Sequence, residues 1–277
     1  MQRNNLISKI FNVTNKNIVI TGSAGLLGSQ YAETLSDAGA NVILVDIDSK
    51  NNKKLEQRIL KKYKTKAKSY IIDITKKTQV QQLRKEVSKD YSRIDALVNN
   101  AAYTTKASLK NKKTRHAYSF ENFPLDLWEK SLAVNLTGTF LCSQEFGKIM
   151  KVQKKGVIIN ISSIYGIVGA DQRIYSKTKL NLPVPYAAAK AAIINLTRYL
   201  AAYWHKYNIR VNSLSLGGVM DTTYQSKEFV KNYSNKTMMG RMANKNEFNG
   251  GLLFLISDAS SYMTGSNLII DGGWSAW

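Results

Sequence analysis

A doubly wound α/β fold built on a seven-stranded parallel sheet is the architecture this 277-residue sequence predicts. Three observations carry the prediction. Short β-branched runs alternate with longer amphipathic stretches from end to end, and the runs are almost continuously apolar, as strands covered on both faces are. The first run also enters a glycine-rich turn that opens a helix, the join on which such sheets are wound.

Taken in order, the first strand is Asn17 to Thr21 (NIVIT), and the turn Thr21 to Gly28 (TGSAGLLG) leads to a helix from about Ser29 to Asp37. A second strand, Asn41 to Asp46 (NVILVD), precedes a basic helical stretch, and a third covers Ser69 to Ile72. The fourth is Ala96 to Asn99 (ALVN), and a helix follows with Trp128, Leu132, Asn135, Cys142 and Phe146 on one stripe. Val157 to Ile161 makes the fifth strand, and an Ala-rich helix opens at Tyr186 and ends near Tyr207. Ile209 to Ser213 and Asn267 to Ile270 complete the seven. No linker, repeat or low-complexity tract intervenes, so residues 1–277 are expected to form one domain, with long insertions near 103–122 and 168–185. Connections of that length inside compact folds usually serve function.

Composition limits the possibilities. Forty Lys and Arg against 19 Asp and Glu give a formal charge of +21, yet 44% of the residues are hydrophobic, enough for a packed core. One cysteine, Cys142, rules out a disulfide framework, and two histidines without ligand spacing leave no metal site to expect. No run approaches the roughly 18 apolar residues of a membrane span, so a soluble cytoplasmic protein with no membrane partner is expected. Between Lys50 and Lys68 stand nine cations against the single acid Glu56. Such a cluster suits either nucleic acid or a solvated helix face. The solvated face is favoured, because 31 of the 40 cations are Lys and not the bidentate Arg of recognition surfaces.

The turn and the acid after it carry chemistry. Glycines let the backbone bend sharply, approach a pyrophosphate and offer helix N-terminal N–H groups to its charge. Asp46 ends the second strand 18 residues beyond Gly28, where a carboxylate can accept bonds from adenosine ribose hydroxyls and repel a 2′-phosphate. NAD is therefore expected in preference to NADP. Further along, Tyr186 and Lys190 in YAAAK share one helix face at a spacing of four. A phenol of pKa about 10 is a poor base at neutral pH, and an ammonium beside it is expected to bring it toward a working range.

With Asn99-Asn100-Ala101-Ala102 after the fourth strand, Asn135 in AVNLTGTF, Ser163 in INISSIYG and Asp271-Gly272-Gly273 near the end, the chain resembles the short-chain dehydrogenase/reductase family over nearly its whole length. The resemblance implies a Rossmann-type subunit, a nicotinamide cofactor and a catalytic tetrad on Asn135, Ser163, Tyr186 and Lys190. Tyr186 would exchange a proton with the substrate oxygen, Ser163 would hold that oxygen, and Lys190 would bind the nicotinamide ribose. Asn135 would hold a relay water, or serve as a core Asn bonded to nearby backbone. The implied cofactor site comprises Gly22, Ser23, Gly25, Leu26, Leu27, Gly28, Asp46, Ile47, Asp73, Ile74, Asn100, Ala101, Ala102, Tyr186, Lys190, Gly217 and Val219. Asp73 would meet the adenine, or equally cap the following helix. Family members commonly form tetramers, so a homo-oligomer, tetramer or dimer, is expected.

Three departures bear on that transfer. The middle glycine of the turn stands at Gly25, where the family places it at the position of Leu26; the usual Pro-Gly after the sixth strand is Leu216-Gly217; and Ser163 and Tyr186 are 23 residues apart, an enlarged gap. That insertion, with FENFPLDLW and the terminal DGGWSAW, resembles the flagellin modification protein A branch, whose members belong to surface-sugar pathways. It implies interconversion of a secondary alcohol and a ketone on a sugar, sugar phosphate or nucleotide sugar, with Arg173, Tyr175, Lys177 and His116 available to the substrate. The competing reading is a non-catalytic cofactor-sensing or nucleic-acid-binding protein on the same fold.

Overall fold

The computed structural model describes residues 6–104, 119–178, 181–221, 223 and 225–277, with only the backbone of 176–178. Seven parallel strands form one sheet: β1 (Asn17–Thr21), β2 (Asn41–Asp46), β3 (Ala67–Ile71), β4 (Ala96–Asn99), β5 (Gly156–Ser163), β6 (Ile209–Leu216) and β7 (Asn267–Ile270). Their order is β3-β2-β1-β4-β5-β6-β7. The chain thus winds outward one way from β1 and then crosses back to β4, which opens a crevice at the carboxyl ends of β1 and β4.

Parity along each strand sorts the core. Ile18, Ile20, Val42, Leu44 and Val98 face one side with α2 (Leu26–Asp37), α3 (Ser49–Lys62) and α9 (Asn249–Ile256). Val19, Ile43, Val45, Leu97 and Ile158 face the other with α4 (Lys77–Asp90), α6 (Thr139–Gln153) and α7 (Val184–Trp204). Burial on both faces is why these strands read as unbroken apolar runs. A short α1 (Leu6–Ile10) precedes the sheet, α5 (Leu125–Leu132) leads into α6, and α8 (Lys227–Ser234) lies between β6 and α9.

The structure corrects several boundaries. The third strand is Ala67–Ile71, two residues earlier than expected at its start, and Lys68 and Ile71 on it are exposed. As an edge strand it has no need of continuous apolarity. β5 and β6 run on to Ser163 and Leu216. Their polar ends stay extended because Ser213 and Ser215 hydroxyls both donate to Asn267 Oδ1 at 2.9 and 2.8 Å. The helix expected from Ser29 begins at Leu26, with Gly25 as its N-cap.

A buried polar chain crosses the middle of the sheet. Asn99 Nδ2 donates to Ser143 Oγ (3.0 Å) and Asn160 Oδ1 (2.8 Å), and Asn160 Nδ2 donates to Thr197 Oγ1 (2.9 Å). It ties β4 and β5 to α6 and α7 beneath the crevice.

The nine cations from Lys50 to Lys68 are all exposed. Arg58 pairs with Glu33 at 2.5 Å, Lys53 with Glu56 at 3.0 Å and Lys68 with Asp90 at 2.6 Å, while Asn52, Leu55 and Ile59 turn α3 inward. This is the solvated helix face, partly neutralised by neighbouring acids. Among the described residues no helix is long and apolar enough to cross a membrane.

Candidate active site

The turn after β1 is held by its neighbours. Gly22 adopts φ +65°, and a Cβ there would lie 2.6 Å from Ala101 Cα. Thr21 Oγ1 accepts the N–H groups of Asn100 and Ala101, both at 3.1 Å. Asn100 Nδ2 donates back to the carbonyls of Thr21 (3.0 Å) and Gly22 (3.1 Å). Gly28 sits so close that a Cβ would stand 2.0 Å from Gly22 O. No side chain caps the N-terminus of α2, so its first N–H groups remain for an anion.

Beyond the turn runs a groove of about 720 Å³, lined in part by Gly22, Gly25, Leu26, Leu27, Gly28, Asp46, Ile47, Asp73, Ile74, Asn100, Ala101, Ala102, Tyr186 and Val219. Most of the sequence-predicted cofactor residues are therefore brought to one surface. Ser23 is not. Its side chain is fully buried and donates to Asn52 Oδ1 at 2.7 Å, while Asn52 in turn donates to the Leu44 carbonyl. The residue that reaches the groove is Ala24, and Ser23 secures the turn from below. Asp46 lines the groove while its carboxylate accepts the Ala24 N–H at 2.8 Å and the Asp48 N–H at 2.9 Å. Asp73 Oδ1 accepts both the N–H and the hydroxyl of Thr75, and Lys76 is the N-cap of α4.

At the far end the groove meets a cavity of about 240 Å³ whose walls include Ser163, Tyr165, Tyr186, Lys190, Gly217, Gly218 and Val219. Ser163 ends β5, and Tyr186 and Lys190 stand in the first two turns of α7, which starts behind Pro183. Ser163 hydrogen-bonds the Tyr186 phenol. Lys190 Nζ donates to the Ile161 carbonyl at 2.7 Å, and Ser162 Oγ donates to the Lys190 carbonyl at 2.8 Å, lacing α7 to β5. Three of the four expected catalytic side chains thus share one cavity.

The electrostatics correct one expectation. Burial pushes the Tyr186 phenol above its ordinary 10, opposed by the Ser163 hydrogen bond. Lys190 Nζ stands 5.5 Å from the Tyr186 ring centre, bonded to backbone, and is not among the groups that pull the phenol down. Desolvation outweighs the Ser163 hydrogen bond here.

Lys190 itself is held down to about 8 by burial, against an ordinary 10.5. Between those values the unfolded chain holds a proton that the folded chain has released, so stability rises with pH; below about 8 both states hold it. The urea midpoint is expected to gain between pH 8 and pH 10 in the wild type. Lys190→Met is expected to lack that gain, and equal pH responses in the two proteins would contradict the assignment.

Asn135 does not line the cavity. It lies fully buried in a π-helical turn, Ala133–Gly138, between α5 and α6. Its Oδ1 accepts the Tyr103 N–H at 2.8 Å, and its Nδ2 donates to the Tyr103 carbonyl (2.8 Å) and Ser131 Oγ (3.0 Å). Both donors are committed, the bonding of a structural core Asn. Of its expected apolar stripe, Cys142 and Phe146 are fully buried, whereas Trp128 and Leu132 are half-buried.

The substrate loop also differs from expectation. Arg173 is exposed, and its guanidinium forks onto Asp171 at 2.8 and 2.9 Å, with Lys236 on the same carboxylate at 2.8 Å. These cations hold Asp171 far below the ordinary carboxylate range. Arg173 thus forms a surface ion pair, its side chain 82% exposed. Tyr175 packs on Phe229, ring centres 5.4 Å apart, in a cluster with Tyr165, Tyr233 and Trp274. His116 and the Lys177 side chain lie outside the described residues. Sequence reasoning missed Thr21, Ser131, Tyr103 and Asn52; the polar Thr closing an apolar strand was the only visible signal among them.

A glycine-rich turn at a topological switch point, joined to a Ser-Tyr-Lys cavity, defines a nicotinamide-dependent oxidoreductase of alcohol and ketone groups. The family profile described as enoyl-(acyl carrier protein) reductase matches residues 22–275. The chain belongs to the short-chain dehydrogenase/reductase family. It is 34% identical over 271 residues to an NAD-dependent glycerol dehydrogenase of Listeria innocua, covering 96% of each chain. It is 32% identical over 260 residues to the post-translational flagellin modification protein A of Campylobacter coli, covering 94% of this chain and 98% of that one. A short-chain dehydrogenase of Leptospira borgpetersenii with bound NAD+ superposes with a TM-score of 0.81 at 34% identity, over 98% of this chain and 96% of that one.

Proposed function

We propose that this enzyme interconverts a secondary alcohol and a ketone on a polyol or keto sugar, with NAD preferred over NADP. The observation that carries the reading is the meeting of Ser163, Tyr186 and Lys190 in one cavity at the end of the cofactor groove. The glycine cradle fits a dinucleotide, because any Cβ at Gly28 would fill the space where the turn closes. Gly22, Gly25 and the α2 N-terminus would hold the pyrophosphate, Asp46 the adenosine ribose, and Lys190 and Val219 the nicotinamide end. Bound there, the nicotinamide supplies the acceptor or donor of hydride.

The chain's own residues supply the proton and the polar grip. For reduction, Tyr186 gives its proton to the carbonyl oxygen, and its raised pKa keeps that proton in place at neutral pH. For oxidation the phenolate must form first, so the rate of oxidation climbs as pH rises toward the phenol's range. Ser163 Oγ holds the substrate oxygen and follows its change of charge. Asn135 keeps Tyr103 and the π turn in place beside the groove.

The glycerol dehydrogenase relative supports a polyol substrate, and the flagellin modification protein A relative supports a place in flagellin modification. A panel of polyols, keto sugars and their phosphates, followed by reduced-nicotinamide absorbance with NAD and NADP, tests the reading. Turnover is expected with an unphosphorylated polyol or keto sugar and NAD, and Asp46→Ser is expected to narrow the preference for NAD by about tenfold. Activity confined to phosphorylated substrates, or an NADP preference in the wild type, would refute it.

A further inference from the structure

Tyr233 lies on α8, outside the sheet, yet its side chain is buried. Its ring stacks on Trp274 from the C-terminal segment, ring centres 4.3 Å apart and planes at 31°. Its hydroxyl oxygen accepts the Gly218 N–H at 2.5 Å. The fit is close enough that a Cβ on Gly218 would stand 2.4 Å from Tyr233 Cζ. Gly218 follows β6 at the point where the usual proline is Leu216, so no ring restrains the backbone from within.

The restraint comes from outside. Tyr233 takes the Gly218 N–H, and Gln225 Nε2 donates to the Val219 carbonyl at 2.7 Å. Val219 is one of the few residues that line both the groove and the catalytic cavity.

We infer that Tyr233 is a positioning residue for the nicotinamide end of the cofactor site. Through Gly218 it fixes the Val219 backbone, and through Trp274 it makes that fixation depend on the packing of α8 and the C-terminal segment. The inference rests on the proposed reading that the nicotinamide end lies at Val219. It predicts an effect on the nicotinamide half of the cofactor that spares the adenosine half.

Tyr233→Phe keeps the ring and removes the oxygen. The dissociation constants of NADH and of ADP-ribose, which lacks the nicotinamide, are compared in both proteins together with Tm. The NADH constant is expected to rise about fivefold, the size of one lost hydrogen bond, while that of ADP-ribose stays within about twofold. Gly218→Ala, which displaces the ring, is expected to give the same asymmetry and serves if the first variant is poorly folded. Equal NADH affinity, or parallel weakening of both ligands with a lowered Tm, would overturn the inference and leave the proposed function standing. A wild-type protein that binds ADP-ribose and no dinucleotide more tightly would overturn both.

Discussion

Tyr186→Phe is expected to lower turnover by about a thousandfold, the usual range for loss of a positioned proton-transfer group. The substitution removes one oxygen from a side chain that is fixed by Pro183 and the first turn of α7, so the ring should stay where it is. It also removes a polar atom that burial penalises and that Ser163 only partly satisfies. Thermal stability should therefore be unchanged or slightly raised, and NADH binding should persist. The measurement is kcat with the best substrate of the panel, beside NADH titration of the same preparation. Residual turnover within tenfold of wild type would remove Tyr186 from the proton-transfer role.

Gly28→Ala is the second large effect. The added carbon would lie 2.0 Å from Gly22 O and 2.9 Å from Asn100 Nδ2, and neither neighbour can yield cheaply. Gly22 is held against Ala101, and Asn100 is bonded to the carbonyls of Thr21 and Gly22. Moving α2 away from the turn is the remaining route, and overpacking of this kind costs about 3 kcal/mol. A dinucleotide affinity lower by roughly a hundredfold is expected if that whole cost falls on the bound form. Gly250→Ala, on α9 and away from the groove, is the internal comparison. Its Cβ would meet nothing within 4 Å, so it should bind normally. Equal losses in the two variants would show that the distance argument is wrong.

Much of this was legible in the sequence because it follows from burial and backbone geometry. Strands covered on both faces must be apolar throughout, and β1, β2 and β4 lie where their runs placed them, as does the edge strand β7. A turn that needs left-handed φ at Gly22 and no side chain at Gly28 declares itself by those glycines. The YAAAK spacing likewise fixes Tyr186 and Lys190 on one face before any tertiary contact is known.

What stayed hidden depends on partners distant in sequence. Ser23 looks like any polar turn residue, and only the approach of Asn52 from α3 draws it inward. Arg173 has the charge of an anion ligand, but its sharing of Asp171 with the distant Lys236 shows only in the folded chain. Asn135 has a helical spacing that hides the π turn, and its bonds go to Tyr103, 32 residues earlier. The Tyr186 proton affinity depends on a balance of burial against the Ser163 hydrogen bond that no spacing reveals.

The chain of Asn99, Ser143, Asn160 and Thr197 constrains how this sequence can drift. Each member satisfies another deep in the protein, so replacing any one by an apolar residue strands a donor or acceptor where water does not reach. A set of compatible apolar residues at all four positions could pack well, yet every single-step route to it passes through a less stable protein. The four therefore form a linked character, changeable together or held together, beneath a crevice whose own Gly22, Gly28 and Asn100 are held just as closely by one another.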